Sequence, residues 1–153
     1  MSSILRDALT DPSLLPREAV EWLRLRSIRL NANQADLIEK IFAFGPHHDD
    51  VTTLLDEVGI PSSSARFRLR KRGLPCPGRW FQLARSVHAA LQLQARPDLS
   101  VTRLAYQLGF VDHSALAHLL RRTLAVTSNE IRGTLGWEWL LDRWLRSSRI
   151  LVR

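Results

Sequence analysis

VTTLLDEVG at residues 51–59 returns as VTRLAYQLG at residues 101–109, after a shift of 50 positions. In both copies the first, fourth and eighth residues are apolar, which is the spacing of one face of an α-helix. The final glycine then marks the point where such a helix ends and the chain turns. The repeat predicts two helices of the same kind, each closed by a glycine turn.

A second amphipathic segment follows each copy: SSSARFRLRKRG at residues 62–73 and DHSALAHLLRRTL at residues 112–124. Their core positions correspond at a shift of 51, which pairs Ala65 with Leu116 and Leu69 with Leu120. The second turn is therefore one residue longer. A helix, a glycine turn and a helix form the helix-turn-helix pattern, whose second helix enters a DNA major groove. Two similar hairpins in an ordinary helical bundle are the structural alternative.

A long joining helix is predicted between the two units. It begins with Pro77, because proline suits the first position of a helix, and it spans about 18 residues, or roughly 27 Å. A rigid helix of that length could hold two recognition helices about one DNA turn, roughly 34 Å, apart. Apolar residues at helical spacing predict its buried face: Trp80, Leu83, Ala84, Val87 and Leu91.

Two further signals place helices around the repeats. Asp50 and Ser100 stand immediately before the two copies, where a side-chain oxygen caps free backbone N–H groups. Cys76 stands at the predicted N-cap of the joining helix. Redox sensing by this thiol is the alternative to a structural role, although the chain has no second cysteine to form a disulfide with it. Residues 30–44 carry one apolar stripe: Leu37, Ile38, Ile41 and Phe42.

The predicted fold is therefore all-α, with two helix-turn-helix units joined by a long linker helix. Both ends add amphipathic segments, with Val20, Leu23 and Ile28 in the first and Leu135, Trp139 and the run to Leu145 in the second. Each segment either packs on the units or offers a surface to a partner. We divide the chain into an N-terminal helical extension (1–29), a first unit (30–75), a linker helix (76–96), a second unit (97–133) and a Trp-rich C-terminal helical tail (134–153).

Positive charge is concentrated where the repeats lie. Residues 1–50 carry 6 basic and 8 acidic side chains, whereas residues 51–153 carry 16 and 7, which leaves +7 for the chain. A basic region of this kind favours a polyanion through Coulomb attraction and counterion release. Almost all of these residues are arginine, so codon bias could raise the count, and an anionic membrane surface would also attract them.

Other classes of protein are disfavoured. The N-terminus lacks the continuous apolar stretch of a secretory signal, and no run approaches the roughly 20 apolar residues of a membrane span. We expect a soluble, cytoplasmic and nucleoid-associated protein. A single cysteine excludes an intrachain disulfide. The His47–Asp50 segment reads as a polar turn, so no metal site is expected, and no catalytic pair or phosphate-binding glycine loop indicates an enzyme.

Residues 105–132, AYQLGFVDHSALAHLLRRTLAVTSNEIR, resemble the second helix-turn-helix unit of AraC/XylS-type transcriptional regulators. Leu108, Gly109 and Phe110 match the family's turn, and Asp112 and Ser114 match the start of its recognition helix. The GLPCPGRW segment at 73–80 resembles a family variant in which Gly-Leu-Pro-x-Pro-Gly-Arg-Trp joins the units. The resemblance covers about residues 30 to 145. The chain departs from the family pattern at Leu116 and Leu120 (usually Phe), His118 (often Arg), Ala125 (Gly), Ser128 (Pro) and Ile131 (Tyr).

The resemblance implies a DNA-binding domain that enters two successive major-groove segments of double-stranded DNA. Many members carry a separate effector-binding domain, and roughly 30 residues before the first unit are too few for one. We therefore expect a freestanding regulator without a cofactor or a small-molecule effector domain. RNA polymerase is the candidate protein partner.

Helical geometry independently predicts the surfaces that face DNA. Burying Ala65 and Leu69 turns Arg66 and Arg70 outward with i, i+4 spacing, where they can reach guanine edges or phosphates. Phe67 offers an apolar surface to a thymine methyl or folds onto the core. The candidate DNA-binding residues are Ser62, Ser63, Arg66, Phe67, Arg70 and Lys71 in the first recognition helix, and His113, Ser114, His118, Arg121 and Arg122 in the second.

The second helix is poorer in hydrogen-bond donors, so the first unit is predicted to supply most of the affinity. The candidates for phosphate contacts are Ser100, Arg103, Thr127 and Arg132, although an arginine of this kind could instead cap a helix or form a surface pair. Two alternatives to a sequence-specific regulator stay open. One is a nucleoid-type binder that grips phosphates without reading bases, and the other is a protein-interaction module that kept the fold without DNA readout.

Overall fold

A computed structural model describes residues 12–133 together with Asp142 and Trp144. Within these residues the regular structure is entirely helical, which confirms the predicted all-α class. Short 3-10 turns occupy Pro12–Leu14, Gly45–His47 and Lys71–Gly73. The α-helices are α1 (Leu15–Leu25), α2 (Ala32–Phe44), α3 (Val51–Val58), α4 (Ser62–Arg70), α5 (Pro77–Ala95), α6 (Val101–Gln107), α7 (His113–Leu124) and α8 (Ser128–Gly133).

Helix α1 belongs to the main core. Its apolar stripe includes Val20, Trp22 and Leu23, all of which are buried against the neighbouring helix α2. After the helix, Ser27 takes a left-handed conformation with φ 66°, and the N–H of Ile28 donates to the Leu23 carbonyl at 3.0 Å. This 6→1 bond buries Ile28 beneath the helix end. The described part of the N-terminal extension, from residue 12 onward, therefore packs on the neighbouring helix, which is one of the two sequence alternatives.

Helix α2 begins with a capping box. The Asn31 side chain accepts from the Gln34 N–H at 2.8 Å, and the Gln34 side chain accepts from the Asn31 N–H at 3.0 Å. Together these bonds satisfy two backbone donors at the helix start. The predicted stripe of Leu37, Ile38, Ile41 and Phe42 is buried.

The two repeats form the same turn. Gly59 and Gly109 have φ of 74° and 87°, a conformation in which glycine avoids the steric cost of a Cβ. In the first copy the N–H of Ile60 donates to the Leu55 carbonyl, and in the second the N–H of Phe110 donates to the Ala105 carbonyl, at 3.0 and 2.9 Å. These bonds lie 50 positions apart, so the repeated sequence produces a repeated backbone.

The caps and cores of the repeats also correspond. The Asp50 side chain accepts from the Thr53 N–H at 2.9 Å, and the Ser100 hydroxyl accepts from the Arg103 N–H at 3.1 Å, which confirms both predicted N-caps. The paired core positions are fully buried in both second helices: Ala65, Leu69, Leu116 and Leu120. Helix α4 starts three residues after Gly59 and α7 four residues after Gly109, so the second turn is one residue longer.

Helix α5 differs from the predicted linker in its surroundings. It spans 19 residues, close to the predicted length, but it packs against α2, α3, α4, α6, α7 and α8. Burial extends beyond the predicted face to Phe81, Ala89, Ala90 and Leu93. Because helices from both units cover it, apolar residues are needed around most of its circumference. The helix is a core shared by the two units.

Two described residues of the C-terminal tail contact the rest of the chain. Trp144 is buried and lies with its ring centroid 4.7 Å from that of Trp80 on α5. The Asp142 carboxylate forms an ion pair with Arg26 at 3.2 Å. At these positions the tail packs on the domain, which is one of the two sequence alternatives. Its other predicted apolar residues, Leu135, Trp139 and Leu145, lie outside the described residues.

Candidate nucleic-acid interface

Helix α4 presents its polar side outward, as the helical geometry predicts. Ala65 and Leu69 are buried at 0% exposure, so the residues on the opposite side of the helix face solvent. We call this surface the α4 face. Its exposed residues are Ser63, Arg66, Phe67 and Arg70, with Lys71 directly after the helix; Ser62 is half-buried.

The structure resolves the two sequence interpretations of Phe67. Its side chain is 59% exposed instead of folding onto the core. The Lys71 ammonium lies 4.8 Å from the centroid of the ring, within the range of a cation–π contact. The pair places an apolar ring and a positive charge side by side on the α4 face.

The α4 face is also electropositive at short range. Within the described residues, no carboxylate lies within 4.0 Å of the charged groups of Arg66, Arg70 or Lys71. At the other end of the helix, Pro61 occupies the N-cap and no described side chain accepts a bond from the first turn. The first N–H groups of α4 are thus left for water or an anion, and the helix dipole favours an anion there.

Helix α7 has an exposed face at the corresponding position, which we call the α7 face. Leu116 and Leu120 turn inward, and the predicted residues of the other side are exposed: His113, Ser114, His118, Arg121 and Arg122. The N-terminus of the helix is capped, because the Asp112 carboxylate accepts from the Ala115 N–H at 2.8 Å. A negative side chain at this end satisfies the helix but disfavours a phosphate.

Two of the four phosphate candidates cap the N-termini of helices. Ser100 uses its hydroxyl as the N-cap of α6. Thr127 forms a capping box with Glu130, whose N–H donates to the threonine hydroxyl at 3.2 Å. Both side chains are exposed, and Arg103, on the first turn of α6, is exposed as well.

Arg132 is tied into the fold. Its guanidinium donates to the carbonyls of Leu93 at 3.1 Å, of Arg96 at 3.0 Å and of Leu99. These groups lie at the end of α5 and in the loop that leads to α6. The sequence left three roles for this arginine, namely a phosphate contact, a helix cap and a surface pair, and the hydrogen bonds correspond to the cap.

Gln34 is a structural residue that the sequence did not indicate. Its amide is fully buried and donates to the carbonyls of Arg68 and Lys71, both at 3.0 Å. These carbonyls lie at the C-terminal end of α4. Gln34 therefore fixes the C-terminal end of α4 on α2. The capping-box pattern predicts only its bond to Asn31, because contacts over 34 and 37 positions have no local signature.

The two units meet at Arg85 on α5. Its guanidinium lies 4.6 Å from the centroid of the Phe110 ring, in the turn of the second unit, and 5.7 Å from that of Phe81. Burial lowers the pKa of Arg85, and the negative charge of Asp49 in the loop before α3 opposes that shift. Arg85 thus links elements of both units.

In the part of the chain that the structure describes, no three His, Cys, Asp or Glu side chains gather where they could hold a metal ion. In the His47–Asp50 segment, His48 pairs with Glu57, and Asp50 caps α3. None of the described helices is long and apolar enough to cross a membrane. Cys76 is exposed at the N-cap of α5, without a side-chain capping bond among the described residues.

No protein-family model, curated protein or solved structure matches this chain. A function therefore has to be inferred from the geometry and charge of the site.

Proposed function

We propose that this protein is a sequence-specific, double-stranded DNA-binding transcription regulator of the AraC/XylS type. In this proposal α4 and α7 enter adjacent major-groove segments of one duplex, and the protein acts in the cytoplasm on the nucleoid. RNA polymerase is its candidate protein partner, and no catalytic step is involved. The observation that carries the proposal is the repeated turn, which supports an outward-facing second helix in each unit.

The α4 face has the chemistry of a base-reading surface. Arg66 and Arg70 lie one helical turn apart, and a guanidinium can donate two parallel hydrogen bonds to a guanine. A good bidentate contact contributes about 1–3 kcal/mol of discrimination against the wrong base. Phe67 adds an exposed ring that suits a thymine methyl group. Because several donors share one exposed face, we assign most of the sequence reading to α4.

The α7 face supports a smaller share of the affinity. His113 and His118 each offer at most two hydrogen-bond donors, and Asp112 places a negative charge at the helix start. Arg121 and Arg122 in the last turn supply phosphate contacts. The second unit then reads few bases and mainly holds the protein in register.

Two different units produce an asymmetric binding site. A dimer with two-fold symmetry recognises a palindrome, whereas one chain with two distinct recognition helices covers two distinct half-sites. With half-sites about one turn apart, the site spans on the order of 20 base pairs. The expected operator is therefore bipartite and not palindromic.

Selection from a randomised pool of DNA duplexes tests the proposal directly. The purified chain is mixed with the pool at near-physiological salt, and the retained fraction is sequenced. Enrichment of a bipartite motif with half-sites about one helical turn apart supports the proposal. One short half-site would restrict base reading to a single unit. Retention without any motif would favour a nucleoid-type binder, and no retention would favour a protein-interaction module.

A further inference from the structure

An open cleft of about 440 Å³ lies beside the C-terminal end of α4. Three of its lining residues are arginines, namely Arg24 at the end of α1, Arg29 in the α1–α2 turn and Arg72 after α4. We call it the arginine cleft. All three side chains are exposed, and in the described part of the chain none of them forms an ion pair. Three unneutralised cations around one opening repel each other, so the cleft favours an anion.

The tertiary structure creates this cluster. Arg29 and Arg72 are 43 positions apart in the sequence, and Gln34 brings them together because its buried amide holds the end of α4 next to the start of α2. The left-handed Ser27 turns the chain back after α1, so that Arg24 lines the same opening. The cleft continues the positive charge of Lys71 from the α4 face toward the N-terminal extension.

Arg72 holds its position at a conformational cost. Lys71 has φ −60° and ψ 132°, and Arg72 has φ 67° and ψ 16°. These angles define a type II turn, whose third residue is normally glycine. A residue with a Cβ is strained at that position, and strained residues cluster at binding sites, where the side chain has a use. The turn therefore keeps Arg72 in the lining of the cleft in spite of the strain in its backbone.

We propose that the arginine cleft binds backbone phosphates of the DNA next to the half-site read by α4, which rests on the proposed function. Arginine matches the geometry of a phosphate with two parallel N–H donors. The openness of the cleft and its continuity with α4 favour a polymer backbone over a free phosphorylated molecule. Under this proposal the N-terminal extension is part of the DNA interface and adds affinity without reading sequence.

The test compares Arg24→Ala and Arg29→Ala with Arg17→Ala. Arg17 lies on α1, as Arg24 does, but outside the cleft, where it pairs with Glu21. Its loss removes the same charge as the loss of either cleft arginine. Binding is measured over a range of salt concentrations. On a duplex that extends beyond the half-site, each cleft variant should lower the slope of log K against log salt by about 1, and Arg17→Ala should not. At 0.1 M salt such a loss corresponds to about tenfold weaker binding.

The length of the DNA localises the contact. On a duplex trimmed at the end of the α4 half-site, the difference between the cleft variants and Arg17→Ala should vanish. Equal slopes for all three variants on the extended duplex, with binding by the wild type intact, would overturn the proposal. The proposal would also fail if inorganic tripolyphosphate raised the Tm of the wild type but not that of the cleft variants, while the DNA slopes stayed unchanged. If the wild type binds no duplex at all, the proposed function itself fails, which is a distinct result.

Arg72→Gly separates binding from folding. Glycine relieves the strain of the left-handed conformation, so Tm should rise by about 2–4 °C. Loss of the guanidinium should at the same time reduce the salt slope by about 1. Arg72→Lys keeps the charge and should retain most of the slope. A lower Tm in Arg72→Gly would show that the side chain serves the fold, and would refute the role assigned to it.

Discussion

The first unit, with α3 and α4, and the second unit, with α6 and α7, share a buried half and differ in their exposed half. Both turns place a glycine at positive φ and close with the same 6→1 hydrogen bond. Outside the core, α4 carries Arg66 and Phe67 where α7 carries Ala117 and His118. The two units therefore keep the same turn and the same buried positions, while their outward surfaces differ.

The units also use different groups to fix their helices. In the first, the buried amide of Gln34 binds carbonyls at the end of α4. In the second, the guanidinium of Arg132 binds carbonyls at the end of α5 and in the following loop. The backbone carbonyls at a helix end need donors, and either an amide or a guanidinium supplies them. Similar architecture thus rests on different chemistry.

Core truncation should affect the units equally and gives the largest expected effect. Leu69→Ala and Leu120→Ala remove fully buried side chains at corresponding positions. Each should lower the free energy of unfolding by about 2–5 kcal/mol, as measured by denaturant titration. Leu25→Ala, at a residue that is 58% exposed, is the control and should change it little. A single transition is expected because α5 is shared; two transitions would show that the units fold separately.

DNA contacts should separate the units. Arg66→Ala should cost about 1–3 kcal/mol of binding free energy and relax one base position, if the residue reads a base as proposed. His118→Ala, at the outward face of α7, should cost less. Titration of each variant against duplexes altered one base at a time distinguishes base reading from phosphate contact. Equal losses on every duplex would instead assign Arg66 to phosphates, and a larger loss for His118→Ala would reverse the order of the units.

The turn glycines should again behave alike. Gly59→Ala and Gly109→Ala force a Cβ into the left-handed region, which costs roughly 1–2 kcal/mol of unfolding free energy. No described atom lies within 4 Å of the added Cβ at either site, so the penalty comes from the backbone alone. Gly78→Ala, on α5 and equally open, is the control and should not destabilise. Thermal unfolding measures all three, and a clear difference between the two turns would contradict their equivalence.

The junction between the units should give the smallest effect, a dependence on pH. His88 on α5 lines a small pocket with Arg85 and the Phe110 turn. Burial, and then the nearby charge of His47, lowers the pKa of His88 from its ordinary value of 6.5. Below about pH 6.5 the unfolded chain therefore binds more protons than the folded one, and the free energy of unfolding should fall as the pH falls further.

Denaturant titrations between pH 8 and 5 measure this slope, which one proton limits to about 1.4 kcal/mol per pH unit. His88→Gln should flatten the profile. The matched removal of an exposed histidine, His118→Gln, should leave it unchanged. A wild-type profile that rises as the pH falls would contradict the assigned direction.

Local signals in the sequence predicted much of the fold. Asp50 and Ser100 were placed as N-caps because capping depends on residues within one helical turn, and the structure confirms both. The sequence did not predict the conformation of Ala125, which has φ 55° at the end of α7, a region where glycine is the default residue. The outward faces followed from the period of the helix, whereas their contact with DNA stays a prediction.

The sequence by itself determined the helices, the two turns, the repeated cores and the concentration of positive charge in residues 51–153. Each of these depends on residues close together in the chain or on composition alone. Only the tertiary structure decided that α5 is buried around most of its surface, that Gln34 holds α4 and that three distant arginines line one cleft. Such contacts join residues tens of positions apart, and their energy depends on packing geometry that no local pattern encodes.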